Sequence, residues 1–119
     1  MIEKQLIIKR GEIYIVNFDP VIGSEISKSR PALVLQNDIA NHYSPVTIVA
    51  AISSHYGNRV YPTEVLINPP EGGLSETSVA LLNQIRTIDK RRIVKKLGGL
   101  NSETMEKVDR AISISLGIF

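Results

Sequence analysis

Apolar and polar residues fall into short runs along most of the chain, and the runs have the length and composition of strands. Glu12 to Phe18 is rich in β-branched and aromatic residues and stops at Asp19-Pro20, which predicts a strand. Ile22 to Ser29, with Gly23 and three serines, predicts a loop. Pro31 then opens Ala32-Leu33-Val34-Leu35, a run apolar on both faces and therefore a buried strand. Asn37 to Pro45 is polar and turn-like. Val46 to Ile52 is a second continuous apolar run, Gly57-Asn58 marks a turn, and Thr63 to Ile67 is a shorter strand. Pro69 to Gly73 cannot continue it, and Ser78 to Ile85 is another strand.

The period changes near the end. Met105, Val108, Ile112, Ser115 or Leu116, and Phe119 recur at helical spacing. Asn101 or Ser102 is the N-cap, Glu103 and Glu106 suit the positive end of the helix, and Gly117 is its stop. Gly98-Gly99 separates this helix from the basic strand or turn before it. About five strands with short connections, followed by one helix, make a mainly β fold. The pattern predicts a small antiparallel barrel or curled sheet with a C-terminal helix, and strands that do not alternate with helices argue against a parallel α/β sheet.

Length and composition narrow the picture. The chain's 119 residues form one domain, 1–119, large enough to fold without disulfides or a structural metal. It has no cysteine, which removes disulfide frameworks and thiolate zinc sites and suits a reducing cytoplasm. The apolar stretch Leu6-Ile7-Ile8 is too short for an export signal, and no run spans a bilayer. Net charge is only +2, yet Arg86, Lys90, Arg91, Arg92, Lys95 and Lys96 crowd into eleven residues. Such a cluster attracts a polyanion or forms a solvated turn; charge alone does not separate the two.

Candidate chemistry lies in three places. Arg30 follows a polar loop containing Ser24 and Glu25 and stands at the mouth of a buried strand. A guanidinium there can hold a phosphate bidentately, or make a structural salt bridge with Glu25 or Glu12. Ser53 and Ser54 stand where a buried strand turns polar, so a hydroxyl can reach a phosphate oxygen or simply end the strand. Alternation puts Gln84, Arg86 and Ile88 on one side of a strand, a face suited to bases and phosphates or merely to solvent. His42 and His55 lie 13 apart without metal-ligand spacing, although two histidines can serve as an acid–base pair. No nucleophile elbow or phosphate-binding glycine loop is present.

The order of these segments is specific. Arg10-Gly11-Glu12-x-Tyr14, Pro20-x-x-Gly23-Ser24-Glu25 and Arg30-Pro31-Ala32-Leu33-Val34-x-Gln36-Asn37-Asp38 resemble the PemK/MazF toxin family. So do Gln84-Ile85-Arg86-Thr87-Ile88-Asp89-Lys90-x-Arg92 and Val108-Asp109-x-Ala111-Ile112-x-x-Ser115-Leu116-Gly117. The resemblance runs from about Ile8 to Gly117. It implies an SH3-like barrel, a homodimer, a cytoplasmic setting and a cognate antitoxin. It also implies a cofactor-free, metal-independent endoribonuclease that cuts single-stranded RNA at a short sequence, leaving 2′,3′-cyclic phosphate and 5′-hydroxyl ends. By position Arg30 matches the family's catalytic arginine and Glu25 an acidic residue beside it. Ser53 falls where many members have a threonine, with Ser54 the substitute if the register differs by one. Ser24, Gln36, Asn37, Gln84 and Arg86 are the implied RNA contacts, with Arg86 a second catalytic candidate. The loop Ile26-Ser27-Lys28-Ser29 departs from relatives that carry glycines there. Two rival readings share the fold: a gyrase-directed toxin resembling CcdB, and an inactive nucleic-acid binder. The ending Leu116-Gly117-Ile118-Phe119 lacks the tryptophan of the CcdB tail.

Overall fold

The chain runs β1 (Glu12–Asn17), β2 (Ser29–Val34), α1 (Asp38–Tyr43), β3 (Val46–Ser53), β4 (Glu64–Ile67), β5 (Ser78–Asp89), β6 (Ile93–Gly99) and α2 (Ser102–Leu116). Single 3-10 turns occupy Glu71–Gly73 and Lys90–Arg92. The computed structural model describes residues 7–20, 22–25, 28–57 and 59–118. All strand pairs are antiparallel, in the order β4-β5-β3-β2-β1-β6.

That order forces the sheet to curl. β5 and β6 stand four places apart, about 19 Å in a flat sheet at the usual strand spacing. Yet only a three-residue 3-10 turn joins them, and such a turn advances roughly 2 Å per residue. The strand ends meet because the sheet bends round on itself. The curl encloses one core of Tyr14, Val16, Phe18, Ala32, Val34, Val49, Ala51 and Ile88. The outer face carries a second core of Ile13, Leu33, Leu35, Ala50, Ile52 and Leu82, covered by Val108 and Ala111 of α2. β2 and β3 contribute to both cores, which is why their sequences are apolar without alternation.

β5 is longer than its sequence run suggests, and it is bent. Ala50 pairs with Ile85 and Ile52 with Ala80, so Ala51 alone faces the four residues Leu81 to Gln84. The surplus bulges out and turns that stretch toward β4, where the Leu82 amide bonds the Thr63 carbonyl at 2.9 Å.

Several expectations shift in detail. Asn37 to Pro45 contains a helix: the Asn37 side chain accepts from the Ala40 amide, and Asp38 lies in the first turn. β2 begins at Ser29, two residues before Pro31. β5 continues past Ile85 to Asp89, and the basic segment becomes a turn and a sixth strand that includes Gly98 and Gly99. α2 is capped by Asn101, whose side chain accepts from the Thr104 amide, and ends at left-handed Gly117. Its buried seam is Thr104, Val108 and Ala111 flanked by Met105 and Ile112, while Leu116 is 59% exposed. Phe119, Asn58, Ile26 and Ser27 lie outside the described residues.

The turn at Glu71–Gly73 ties the helix to the sheet. Glu71 accepts from the Asn101 amide and the Thr104 hydroxyl, both at 3.1 Å. Behind it, backbone packs on backbone: a Cβ on Gly73 would lie 2.0 Å from the Leu97 carbonyl oxygen, and one on Gly98 2.6 Å from the Gly72 carbonyl carbon. Gly73 also has φ +73. Gly73→Ala is therefore expected to lose about 3 kcal/mol or more in urea unfolding. Gly117→Ala has a similar φ but open space, and should lose only about 1 kcal/mol. Equal losses would show that the backbone contact is unimportant.

Carboxylates are tied down around the ends of β1. Burial tends to raise the Glu12 carboxyl, but hydrogen bonds from Lys96, Tyr14 and the Lys9 amide outweigh it and hold its pKa below the usual value. Asp38 is lowered chiefly by the Arg10 amide, and Asp89 to about 2 by Arg91. A folded-state pKa below the unfolded one stabilises above the unfolded value and is lost as pH falls through the folded value. The melting temperature should hold from pH 7 to about 5 and drop between roughly pH 4.5 and 2. Glu12→Gln should melt lower at pH 7 and show a shallower acid drop; an unchanged acid profile would assign the effect elsewhere.

Candidate active site

Arg30 and Ser53 stand at one end of the central strand pair. β2 and β3 pair Ala32 with Ala51 and Val34 with Val49. Continuing that register by two residues sets Arg30 beside Ser53, on the face carrying Ala32 and Ala51. The opposite neighbour of Arg30 is Val16 of β1. Arg30 is half-buried and makes contacts within the fold, so it is held rather than waving in solvent. It lines a groove of about 340 Å³ together with Lys28, Ser29, Ser54 and Ser78.

The two serines differ. Ser53 is buried, and its Oγ accepts from the His55 amide at 3.0 Å and donates to the His55 carbonyl at 3.2 Å. It closes the turn that leaves β3. Ser54 is exposed and is the one of the pair that lines the Arg30 groove.

A second groove, of about 350 Å³, gathers Glu25, Asn83, Gln84, Ile85, Arg86 and Phe18. The bulge of β5 presents Asn83 and Gln84 here. Arg86 pairs with Val49, donates from Nη1 to the Phe18 carbonyl at 2.9 Å, and sits 5.8 Å over the Phe18 ring. Glu25 Oε1 accepts from the Ile22 amide at 2.6 Å, so the carboxylate shapes its own turn. Ser24 is exposed in that turn and lines neither groove. The structure thus brings Glu25, Gln84 and Arg86 together, and Arg30 with Ser54, in two separate grooves. Asn83 was not anticipated: a side chain in a bulge has no periodic signal in sequence.

Gln36 and Asn37 are engaged elsewhere. Gln36 is buried; its Nε2 donates to Asn41 Oδ1 at 3.1 Å and the Val46 carbonyl at 3.0 Å. Asn37 caps α1. Asn41 Oδ1 also accepts from the Thr47 hydroxyl at 2.7 Å, and Lys90 Nζ donates to the Asn41 carbonyl at 2.5 Å. This buried network lies at the far end of β2 from Arg30, about 20 Å away at six strand residues. His42 in α1 and His55 after Ser53 likewise flank β3 at opposite ends, on the order of 25 Å apart, so they do not form an acid–base pair. Among the described residues no three His, Cys, Asp or Glu side chains group as a metal site, and no helix is long and apolar enough to cross a membrane.

Several members of the basic cluster bond to the fold while staying at the surface, the Arg91 side chain being 89% exposed. Arg91 grips Asp89 through Nε and Nη2, both at 3.0 Å. Arg92 Nη1 donates to the carbonyls of Asn17 and Asp19, and Lys96 pairs with Glu12. Arg91 thus braces its own turn while Arg92 and Lys96 tie the β5–β6 segment to β1 and its end, so the cluster is architecture as well as surface.

Comparison with known proteins identifies the family and the fold. Residues 9–116 match the family model described as PemK-like, MazF-like toxin of type II toxin-antitoxin system. The chain is 48% identical over 113 residues to Endoribonuclease EndoA of Bacillus subtilis, covering 95% of this chain and 97% of that protein. A crystal structure of MazF from Deinococcus radiodurans superposes with a TM-score of 0.82 at 25% identity, covering 95% of this chain and 99% of that one. A mycobacterial endoribonuclease in complex with its cognate antitoxin shares the fold, with a TM-score of 0.77 at 22% identity over 93% of this chain and 96% of that one. The curled antiparallel sheet with its C-terminal helix is thus the MazF fold, and the chain, a homologue of an endoribonuclease, belongs to the PemK-like, MazF-like toxins of type II toxin–antitoxin systems.

Proposed function

We propose that the protein is a metal-independent, ribosome-independent endoribonuclease that cuts single-stranded RNA at a short specific sequence and serves as the toxin of a toxin–antitoxin pair. The observation that carries the reading is the 48% identity to an endoribonuclease across 95% of the chain. The half-buried Arg30 at the mouth of a rigid strand pair supplies the chemistry.

In this reading the ribose 2′-hydroxyl attacks the adjacent phosphorus. The 2′-proton leaves to a base, the P–O5′ bond breaks, and the 5′-oxygen takes a proton. The products are a 2′,3′-cyclic phosphate and a 5′-hydroxyl, and no water is consumed. Arg30 stabilises the extra negative charge on the phosphorane; its guanidinium stays protonated, so its part is electrostatic. Glu25, in the groove it shares with Gln84 and Arg86, is the candidate to accept the 2′-proton. Ser53 holds a phosphate oxygen, with Ser54 as the alternative because it lines the Arg30 groove. Ser24, Gln84 and Arg86 contact RNA, and their arrangement suits unpaired bases and phosphates. RNA contact at Gln36 and Asn37 is confined to nucleotides over the far end of β2 and to what the burial of Gln36 and the capping role of Asn37 leave accessible. The working form is a cytoplasmic homodimer held inactive by a cognate antitoxin. The antitoxin complex of a structural relative motivates that partner.

The test is a long unstructured RNA incubated with purified protein in EDTA, with cut sites and end groups mapped. Discrete cuts with cyclic phosphate and 5′-hydroxyl ends are expected. Arg30→Ala should lose at least about 10²-fold in rate while keeping its circular-dichroism spectrum. Normal cleavage by that folded variant defeats the assignment. Ser53→Ala and Ser54→Ala are compared in the same assay. The serine that holds phosphate should cost roughly tenfold, about one charge-assisted hydrogen bond. An effect of Ser54→Ala alone would move the role to Ser54.

A further inference from the structure

We infer that Arg92 is a positioning residue of the active site, clamping the neck of the loop that joins β1 to β2. This rests on the endoribonuclease reading above. That loop carries Ser24 and Glu25 and returns to the chain at Arg30.

Three consecutive carbonyls leave β1 at Asn17, Phe18 and Asp19. All three are taken by guanidinium groups from beyond the sheet's curl. Arg92 Nη1 bonds the Asn17 carbonyl at 3.1 Å and also the Asp19 carbonyl. Arg86 Nη1 bonds the Phe18 carbonyl at 2.9 Å. The partners are 68 to 75 residues apart in sequence, so only the fold brings them together.

The returning limb is fastened to two of these residues, and the third braces them. The Phe18 amide donates to the Lys28 carbonyl at 3.0 Å, and the Lys28 amide to Asp19 Oδ1 at 2.9 Å. The Asp19 amide donates to Asn17 Oδ1 at 3.0 Å. Lys28 holds φ 66, a left-handed conformation that a lysine keeps only when its neighbours fix it. Two residues on is Arg30, whose strand position is therefore set by where the neck closes. On the outgoing side the neck fixes where Glu25 enters the groove it shares with Arg86.

Arg92 itself lines neither groove. Its guanidinium acts on the reaction through the neck, whereas Arg86 both grips the neck and faces a groove. Both bonds leave Nη1, whose two N–H groups are fixed in the guanidinium plane; a lysine ammonium turns freely on a flexible stem and holds two carbonyls less firmly.

Arg92→Ala, Arg92→Lys and wild type are compared in three measurements: steady-state cleavage of one RNA, the salt dependence of RNA binding, and amide hydrogen exchange. The expected result is kcat lowered about tenfold or more in both variants, with KM within about twofold. The salt slope should be unchanged, and exchange at the Phe18 and Lys28 amides faster in both. A raised KM at normal kcat, a salt slope smaller by about one contact, and rescue by lysine would make Arg92 an RNA contact and overturn the inference. Unchanged kcat and exchange would also overturn it. If Arg92→Ala melts below the assay temperature, Arg92→Lys carries the same comparison. Wild-type protein that leaves RNA intact sinks the endoribonuclease reading instead, and the exchange measurement still decides whether Arg92 clamps the neck.

Discussion

β2 and β3 have no polar face, and the rest of the architecture answers that constraint. A strand apolar on both sides must be covered on both sides, and a single sheet of this length has only two means of doing so. α2 lies on the outer face with Val108 and Ala111 against Ile52 and Leu82. The sheet closes its inner face by curling, which brings Val16, Phe18 and Ile88 over Ala32 and Ala51. Because β5 and β6 must meet across that curl, their turn is where charge is concentrated, and its arginines and lysines reach back to β1 and α1.

The ends of this rigid pair differ in use. At one end, Gln36, Asn41 and Thr47 form a hydrogen-bonded set, and among the described residues no buried side-chain polar atom is left without a partner. Each member saturates another, which favours a fixed geometry over contact with ligand. At the other end, Arg30 and Ser54 line a groove open to solvent. The same strands therefore carry a closed polar clasp at one end and an open groove at the other.

Basic residues serve two purposes in this molecule. Their number suits a polyanionic substrate, but many of their donors are spent on backbone carbonyls and carboxylates of the fold. Arginine does this well because one planar group can bridge several acceptors. Arg10 follows the same pattern: its amide bonds Asp38, its Nε the Leu35 carbonyl and its Nη2 Asp109, tying the entrance of β1 to α1, β2 and α2.

The strands, the C-terminal helix with its Asn101 cap and Gly117 stop, and the family were legible in the sequence. Periodicity, caps and the order of motifs are local properties that each segment carries alone. α1 was missed because a six-residue helix has too few turns to show a period, although Asn37 before Asp38 was a usable capping signal. Arg10, Gln36, Asn37, Asp38 and Asp109 were legible as a pattern, but their roles were not. A motif records which residues occur together and not whether they face ligand or one another. Only the tertiary structure decided that Gln36 and Asn37 hold α1, that Ser53 closes its own turn while Ser54 lines the groove, and that Arg92 reaches Asn17 and Asp19. Each depends on a curl or a bulge that brings distant residues within hydrogen-bond range, and separation along the chain carries no record of that distance.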